Sequence, residues 1–335
     1  MRNKKNLELK PLFEERMKKL LEPADYGRYK KILGQQILRS IRCNTLKISP
    51  EDLKKKLEEK SWKISQPWKN YPEVMIVDGK IVEEGSEKKL IELGPGELGR
   101  AIEHILGYYY IQELASMLPI IILKPKPEEK FLDLCASPGS KTTQASSEMK
   151  NTGTIIANEI NLGRIKILAS NLERCGVTNS LITMCDGVLL CERFKEQKVF
   201  FDKILVDAPC SGEGTLRSSP KTYFMWNIKT IRGVSKLQKK LFEKAFEILT
   251  VDGEIVYSTC THAPEENEEI VNFALEKFGD KIKIEKIILP IKCREGITEW
   301  EDKKFSKEVK NVCRIYPHDN NTEGFFISKF KRIKA

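Results

Sequence analysis

Histidine is scarce in this sequence, and its cysteines are not spaced as metal ligands. There are only three histidines, and no two of the nine cysteines form a Cys-x-x-Cys pair. Structural metal sites draw on closely spaced cysteine and histidine ligands, so we predict that no metal is bound. An odd cysteine count also argues against a complete disulfide framework. We expect most of the thiols to be reduced and buried as small apolar side chains.

Long apolar runs are lacking as well. No stretch approaches the roughly 18 apolar residues that a membrane span requires, and residues 1–20 are too charged for a signal peptide. With 335 residues and 40% hydrophobic content, the chain is large enough to bury a core. We therefore expect a soluble, cytoplasmic monomer with no membrane partner, built from one large and one smaller domain.

Acidic residues are outnumbered, and the excess of basic residues is uneven. The chain has 58 Lys and Arg against 48 Asp and Glu, a net charge of +10, and residues 1–63 hold 18 basic and 9 acidic residues. A basic lobe beside a nearly neutral remainder is typical of a nucleic-acid-binding module attached to a catalytic one. A solvated lysine-rich surface, as in heat-adapted proteins, explains the charge equally well.

Residues 1–95 are predicted to form a small α+β domain. Apolar residues near its start recur at helical spacing. Ser49, followed by a proline and two acidic residues, predicts the start of a charged amphipathic helix. Short apolar runs over residues 37–48 and 74–77 predict strands, and Asp78-Gly79 after the second predicts a hairpin turn.

Residues 96–335 are predicted to form an α/β catalytic domain. Short apolar runs are largely separated by helical patterns, and an apolar run before the lysine-rich tail predicts a final strand. This alternation is typical of a Rossmann-like, doubly wound parallel sheet covered on both faces. The runs are residues 130–135, 154–158, 180–184, 203–206 and 254–258.

Two segments resemble nucleotide-binding motifs but lack the required context. Residues 94–99 match GxGxxG, yet the segment before them is a poor buried strand, and no acidic residue follows at the spacing of the dinucleotide fingerprint. Residues 139–142 resemble the end of a phosphate-binding loop, but Ser140 and Cys135 stand where that loop needs glycine. A nucleotide-dependent oxidoreductase and an ATPase are therefore disfavoured.

The turn after the first catalytic-domain strand is suited to a nucleoside cofactor. Pro138-Gly139 lets a ligand approach the backbone, and the next helix offers unpaired N–H donors to a carboxylate. Glu159 at the next strand end is placed to bind ribose hydroxyls, and Asp186 after the third strand to accept from an exocyclic amine. One such acid alone is more simply a loop carboxylate, but the series favours a cofactor. The turn comprises Cys135, Ala136, Ser137, Pro138, Gly139, Ser140 and Lys141.

Two cysteines follow later strands. Cys210 lies in Asp-Ala-Pro-Cys-Ser-Gly and Cys260 in Ser-Thr-Cys-Thr, each directly after an apolar run. A lone cysteine is most simply a small buried residue. Two of them among turn residues, at the ligand-binding edge of a parallel sheet, favour thiol chemistry instead. Spacing alone does not decide which of the two is a nucleophile.

Taken in this order, the motifs resemble those of the Sun-domain (NOL/NOP/Sun) RNA cytosine-5 methyltransferases, especially compact archaeal enzymes that act on tRNA. The resemblance covers nearly the whole chain. Ser137 stands where the family usually has alanine, and Glu159 where aspartate is commoner. The matching segments are residues 40–47, 103–104, 107–113, 138–141, 207–212, 258–261, 264–268, 316–318 and 322–326.

The resemblance implies a cofactor and a nucleophile. S-adenosyl-L-methionine is the implied methyl donor. Cys260 is the implied nucleophile, whose addition to C6 of cytosine makes C5 reactive towards the methyl group, and Cys210 helps to release the base. DNA cytosine-5 methyltransferases attack instead with the cysteine of Pro-Cys, which here is Cys210. The implied cofactor ligands are the turn residues together with Glu159, Arg164, Asp186 and Asp207.

Further roles concern catalysis and the substrate. Lys141 is the candidate to lower the thiol pKa from its free value of about 8.5, and a protonated Asp207 would donate to cytosine N3. We expect tRNA as substrate, with rRNA methylation or a non-catalytic RNA-binding or ribosome-assembly role as alternatives. Phosphate contacts are predicted for Arg42, Asn44 and Lys47, although an exposed strand face explains them equally well. Stacking on bases is one role for the three tyrosines at residues 108–110, but helical spacing beside Ile111 and Leu114 predicts that they are core.

Overall fold

The computed structural model describes residues 9–85 and 87–334 and contains two large β-sheets. The first is antiparallel throughout, with strand order β2-β3-β1-β5 and with β4 paired to the far half of β3. Its strands are β1 (Ser40–Cys43), β2 (Trp62–Ser65), β3 (Val74–Glu84), β4 (Glu87–Ile91) and β5 (Tyr109–Ile111). The accompanying helices are α1 (Pro11–Leu20), α2 (Pro23–Leu33), α3 (Pro50–Glu58), α4 (Glu97–Arg100) and α5 (Ile102–Ile105).

Local sequence signals in this region are partly confirmed. The Ser49 side chain caps α3 by accepting from the Asp52 N–H at 3.1 Å, as predicted. The hairpin predicted at Asp78-Gly79 is wrong, because β3 runs through both residues. Gly79 still pairs with Lys63 of β2, and the extra residue is taken up by a shift in register. Asp78-Gly79 therefore makes a β-bulge instead of a turn.

The second sheet follows the predicted alternation of strands and helices. Its strands are β6 (Lys130–Asp133), β7 (Thr154–Asn158), β8 (Ser180–Thr183), β9 (Phe201–Asp207), β10 (Leu249–Thr259), β11 (Ile282–Glu285), β14 (Cys313–Ile315) and β15 (Phe325–Arg332), and a small hairpin is formed by β12 (Glu299–Trp300) and β13 (Lys303–Lys304). The helices are α6 (Leu114–Leu123), α7 (Ser140–Glu148), α8 (Leu162–Cys175), α9 (Gly187–Glu196), α10 (Pro220–Met225), α11 (Ile228–Glu247), α12 (Glu268–Phe278) and α13 (Pro317–Asn320).

The strand order in this sheet is β11-β15-β10-β9-β6-β7-β8. Strands β6 to β10 are mutually parallel, whereas β15 runs antiparallel to β10, β11 and β14. The predicted final strand is confirmed, but it is inserted between β10 and β11, so the sheet is mixed and not wholly parallel. The carboxyl ends of β6, β7, β9 and β10 lie along one edge, where a doubly wound fold binds its ligands.

Two apolar cores cover the faces of this sheet. One packs α9, α11 and α12 against it, and the other packs the nearly uncharged α6, in which nine of the ten residues are buried. Helices α1 and α2 also pack on this half of the chain. Phe13 of α1 meets Trp226 edge-to-face at 5.4 Å, and Asp25 of α2 pairs with Arg294 at 2.5 Å. Although α1 and α2 precede the first sheet in the sequence, these contacts are with the second half of the chain.

Three features bear on the sequence-based expectations. The first sheet takes in β5, which lies beyond the predicted domain boundary at residue 95, and that boundary stays a prediction. Cys293 and Cys313 form a disulfide, and the remaining seven cysteines are free. Within the described ranges, no helix is both long and apolar enough to cross a membrane, and no cluster of side chains is arranged to hold a metal ion.

Candidate active site

The predicted cofactor turn connects β6 to α7. Gly139 begins α7 with φ of 101°, and a Cβ atom on it would lie 3.0 Å from Leu168, so the turn suits glycine. Asp133 ends β6 and anchors the turn by accepting from the Thr142 hydroxyl at 2.7 Å. Burial raises the pKa of Asp133 to about 7, and nearby Asp207 adds to the effect. Backbone geometry and one buried carboxyl therefore hold the turn.

A cavity of about 330 Å³ opens beside this turn. Among the predicted cofactor ligands, six line it: Cys135, Ser137, Glu159, Arg164, Asp186 and Asp207. Other members of the turn, including Gly139 and Ser140, do not line this cavity, and Lys141 lines a different one. The wall also includes apolar residues that sequence reasoning missed, among them Ile160, Leu237 and Leu241.

Two carboxylates in this cavity have distinct settings. Glu159 is 3% exposed, accepts from the Asn161 N–H at 2.9 Å and pairs with Arg164 at 3.1 Å. Asp186 caps α9, since one of its oxygens accepts from the N–H groups of Val188 and Leu189. The donor set fits a nucleoside, because carboxylates suit ribose hydroxyls and an exocyclic amine while aliphatic side chains suit a base.

A second cavity, of about 460 Å³, lies on the other side of the same strand ends. Among the residues that the structure describes, only Asp207, Ala208 and Cys260 line both cavities. Its far wall comes from the first half of the chain and from β15, including Arg39, Ser40, Gln112, Ser116 and Phe325. Sequence reasoning did not identify this wall, because its residues come from distant segments without a motif that marks a pocket.

Lys141 and Asp207 form an ion pair at the junction of the two cavities. The Lys141 Nζ lies 2.8 Å from Asp207 Oδ2, donates to the Ser116 hydroxyl at 2.9 Å and sits 5.5 Å from the centre of the Phe325 ring. The other Asp207 oxygen accepts from the Ser258 hydroxyl at 2.7 Å. Among the described residues, no hydrogen bond joins Lys141 to either strand-end cysteine. Its observed partner is Asp207.

The two predicted cysteines are brought together. Cys210 Sγ and Cys260 Sγ lie 3.2 Å apart, within reach of a sulfur–sulfur hydrogen bond. The bond to Cys260, together with burial, holds the pKa of Cys210 well above the usual value for a thiol. Cys260 lines both cavities, whereas Cys210 lines only the cofactor cavity. The two cysteines therefore differ in the cavities that they reach.

Buried carboxyls, which sequence reasoning did not single out as site residues, support the loops that carry these cysteines. Glu266 accepts from the Ser211 N–H and from Gln238, both at 2.9 Å, and burial raises its pKa to about 7. Glu213 accepts from the Trp226 indole at 2.7 Å and from the Thr261 hydroxyl at 3.1 Å. Each carboxyl thus ties a residue next to a cysteine to a neighbouring element.

The three side chains predicted to contact RNA have other partners. Arg42 and Asn44 are buried, so neither presents free donors to a phosphate and neither belongs to an exposed strand face. Asn44 donates to the carbonyls of Gly107 and Cys175, both at 2.8 Å. Lys47 is exposed, but its ammonium donates to the carbonyls of Leu106 and Arg174. All three connect segments within the protein.

The tyrosines at residues 108–110 lie in and beside a strand. Tyr109 and Tyr110 belong to β5, so the helical spacing predicted for them is wrong, and both are buried as predicted for core residues. Tyr110 lies between two arginines, 5.7 Å from the Arg42 guanidinium and 5.5 Å from that of Arg174. It packs where β5 meets the catalytic half.

Comparison with known families identifies the chain. The family model described as 16S rRNA methyltransferase RsmB/F matches residues 120–331, and the model for the N-terminal domain of 16S rRNA methyltransferase RsmF matches residues 9–114. The chain belongs to this methyltransferase family. The predicted family and the α/β methyltransferase fold are thereby confirmed, and S-adenosyl-L-methionine is the methyl donor of this family member.

Individual relatives add detail about length and substrate. The chain is 40% identical over 318 residues to the tRNA (cytosine(49)-C(5))-methyltransferase of Pyrococcus abyssi, covering 95% of this chain and 94% of that protein. It is 38% identical over 300 residues to the ribosomal RNA small subunit methyltransferase F of Aliivibrio salmonicida, covering 89% of this chain. The chain spans 58% of the length of that second relative.

Solved structures share the architecture across both halves. A methyltransferase homologue protein from Pyrococcus horikoshii matches with a TM-score of 0.80 at 31% identity, covering 97% of this chain and 96% of that one. The crystal structure of NSun6 from Pyrococcus horikoshii with SFG matches with a TM-score of 0.81 over 97% of this chain and 99% of that one. At 24% identity, the second likeness supports the fold alone.

Proposed function

We propose that this methyltransferase transfers a methyl group from S-adenosyl-L-methionine to C5 of a cytosine in RNA, with Cys260 as the nucleophile and tRNA as the substrate. The observation that carries the proposal is the position of Cys260. It lines both the cavity suited to the cofactor and the second cavity, which we assign to the target base. A nucleophile must reach the base while the methyl donor faces it from the opposite side, and Cys260 occupies that junction.

Addition of the Cys260 thiolate to C6 forms a sulfur–carbon bond and makes the ring an enamine-like nucleophile at C5. The cofactor supplies an electrophilic methyl group. Loss of the C5 proton to solvent and breakage of the sulfur–carbon bond then release 5-methylcytosine. Cys210 lies 3.2 Å from the departing sulfur, and because its pKa is raised it still holds a proton to donate to that sulfur.

The Lys141–Asp207 pair acts on the base itself. Both side chains line the target cavity. Negative charge develops around cytosine N3 when the thiolate adds to C6, and a proton donor there lowers the barrier. We assign that proton to the Lys141–Asp207 pair, with Ser258 and Ser116 fixing its geometry. This differs from the predicted role of Lys141 as a neighbour of the thiolate, since the ammonium contacts Asp207.

The choice of tRNA depends on the tRNA-modifying relative. That relative is 40% identical to this chain over 318 residues, against 38% over 300 residues for the rRNA-modifying relative. Methylation of rRNA is the second candidate, because that relative is also closely similar. We further propose that residues up to about the end of β5 form the RNA-binding unit, and that the enzyme acts as a monomer in the cytoplasm, where tRNA is modified.

Labelled S-adenosyl-L-methionine and unmodified total tRNA and rRNA test these assignments with wild type, Cys260→Ala and Cys210→Ala. We expect label to enter tRNA as 5-methylcytosine with the wild type, and no label with Cys260→Ala. Cys210→Ala should accumulate a denaturant-resistant protein–RNA adduct, because release is impaired. Cys191→Ala, a buried cysteine on α9, is the matched control and should leave methylation intact.

Each contrary outcome identifies a different error. If Cys260→Ala still forms an adduct and that adduct requires Cys210, then Cys210 is the nucleophile and Cys260 the cysteine that helps release. If label enters rRNA alone, the substrate is rRNA and not tRNA. Binding of S-adenosyl-L-methionine without labelling of either RNA would contradict the proposed activity.

A further inference from the structure

Arg42 is a buried cation that has no carboxylate in hydrogen-bond contact within the described part of the chain. It lies on β1 at the centre of the first sheet and is 2% exposed. Its guanidinium donates to the Ser140 carbonyl at 2.7 Å, to the Thr143 hydroxyl at 2.9 Å and to the Gln112 side chain. Burial lowers the pKa of Arg42 only to about 10, so the side chain is charged at neutral pH.

Burying such a charge is costly, and an apolar side chain would fill the same space more cheaply. The cost is offset only if the directed hydrogen bonds have a role that apolar packing cannot supply. A planar guanidinium holds several acceptors in one fixed arrangement, which makes arginine well suited to fixing the relative positions of different segments. Here the two segments are the residue that follows β5, Gln112, and the start of α7.

Both segments lead directly to the catalytic lysine. Ser140, whose carbonyl Arg42 binds, precedes Lys141 at the start of α7. Gln112, on the other branch, donates from Nε2 to the Ser116 carbonyl at 3.1 Å, and the Ser116 hydroxyl accepts from Lys141 at 2.9 Å. Arg42 thus reaches Lys141 by two routes, one through the backbone of α7 and one through the first turn of α6.

We propose that Arg42 is a positioning residue for the methyl-transfer reaction: it holds Lys141 against Asp207, so that the pair meets the target base correctly. The inference rests on the proposed function for the role of the Lys141–Asp207 pair, but the contact itself is independent of it. Arg42 also makes the first sheet part of the catalytic apparatus. When that sheet docks correctly, the position of Lys141 is fixed. Arg42 itself does not contact the substrate.

Arg174 offers a matched control. It lies at the same junction, packs on the other side of Tyr110 and donates to the carbonyls of His104 and Tyr109. It also donates to the Asn171 side chain of α8 at 3.1 Å. Among the described residues it makes no hydrogen bond to α6 or to the start of α7, so its loss should weaken the junction without moving Lys141. Arg42→Met and Arg174→Met therefore separate positioning from stability. Arg42→Lys keeps the charge but cannot satisfy all the acceptors at once.

The experiment measures kcat, KM for RNA, the Kd for S-adenosyl-L-methionine and the Tm of each variant. We expect Arg42→Met to lower kcat about 100-fold, a loss typical of a misplaced catalytic group, with KM and Kd within about 3-fold of wild type. Arg42→Lys should recover part of that loss. Arg174→Met should lower the Tm comparably and leave kcat within about 3-fold of wild type.

Crystal structures of the wild type, Arg42→Lys and Arg42→Met give a readout that needs no activity. We expect the Lys141 Nζ to leave hydrogen-bond distance of Asp207 in Arg42→Met. An unchanged ion pair would overturn the inference even if the enzyme proves to have another substrate. So would a kcat loss shared equally by Arg174→Met, or a change confined to RNA affinity. If Arg42→Met fails to fold, the same two measurements on Arg42→Lys decide.

Discussion

Cys210 and Cys260 hold their sulfur atoms 3.2 Å apart. The hydrogen bond to Cys260, together with burial, raises the pKa of Cys210. At the scale of single residues, Cys210 therefore keeps its proton at neutral pH, which fits the proposed role of a proton donor and not that of the nucleophile.

Glu159 is the residue on which cofactor affinity should depend most clearly. In Glu159→Gln we expect the Kd for S-adenosyl-L-methionine to rise about 10- to 100-fold, since a hydrogen bond to a charged acceptor is worth about 1.5–3 kcal/mol. Titration calorimetry measures this directly. Glu83→Gln on the exposed part of β3 is the control and should bind the cofactor normally. Equal affinities in Glu159→Gln and wild type would remove Glu159 from the cofactor site.

At the scale of elements, the site depends on three chain segments that touch through their backbones. The Gly214 N–H donates to the Cys260 carbonyl at 2.8 Å, and the Gly324 N–H donates to the Gly214 carbonyl at 2.9 Å. These bonds join the loop after β9, the loop after β10 and the segment that enters β15. The position of Cys260 is therefore set by contacts that leave no space for side chains at Gly214 and Gly324.

Gly214→Ala tests this contact. A Cβ atom on Gly214 would lie 2.1 Å from the Gly324 carbonyl oxygen, so the segments must separate. We expect a loss of about 1–3 kcal/mol in the free energy of unfolding and a large fall in kcat, because Cys260 moves with its loop. Gly233→Ala in α11, where a Cβ meets nothing within 4 Å, should instead stabilise the protein by about 0.5–1 kcal/mol. Urea unfolding and turnover assays check both, and normal kcat in Gly214→Ala would contradict the argument.

Sequence patterns predicted the elements with strong local signals. The strands ending near Asp133, Asn158 and Asp207 were identified because apolar runs stop at polar turn residues. The Asp78-Gly79 hairpin failed because pairing with β2 overrides a local turn signal. The final strand was predicted, but its place between β10 and β11 was not, since strand order depends on long-range pairing that no local pattern encodes.

The candidate site was predictable to a similar extent. Cys210 and Cys260 stood out because each follows a strand. Arg42 was misinterpreted, because a basic residue in a basic segment resembles an RNA contact until its burial is known. The wall of the target cavity was not predicted at all. Some of its residues, such as Ser40, Gln112 and Phe325, lie in segments that match the family, but no local pattern shows that they meet. They become a wall only when the first sheet docks on the second.

At the scale of the whole molecule, buried carboxyls and buried histidines act in opposite directions on stability. Burial raises the pKa values of Asp133, Glu266 and Glu323 to about 7. Each then contributes stability that is present below the unfolded pKa and lost as pH rises through 7. Burial lowers the pKa of His262 to about 3, so its contribution is present above about 6.5 and lost as pH falls. Between these limits the two effects partly cancel.

Glu266→Gln isolates one carboxyl from this balance. We expect the free energy of unfolding of the wild type to fall relative to that of the variant as pH rises from 5 to 8. The fall should be up to about 1.4 kcal/mol per pH unit. Urea unfolding at pH 5, 6, 7 and 8 measures it, and subtraction removes the contribution of the histidines. Glu276→Gln, an exposed carboxyl on α12, should follow the wild-type curve. A constant difference for Glu266→Gln would show that the raised pKa is wrong.

The pocket beside Cys260 is completed late in synthesis, because part of its wall comes from β15. This strand separates β10 from β11, although both are made before it, and the ring centre of its first residue, Phe325, lies 5.5 Å from the Lys141 Nζ. A chain that has not yet reached β15 carries both cysteines, but it lacks the strand that pairs with β10 and part of the proposed base pocket. On the proposed mechanism, we expect such an incomplete chain not to capture RNA in a covalent adduct that it cannot release.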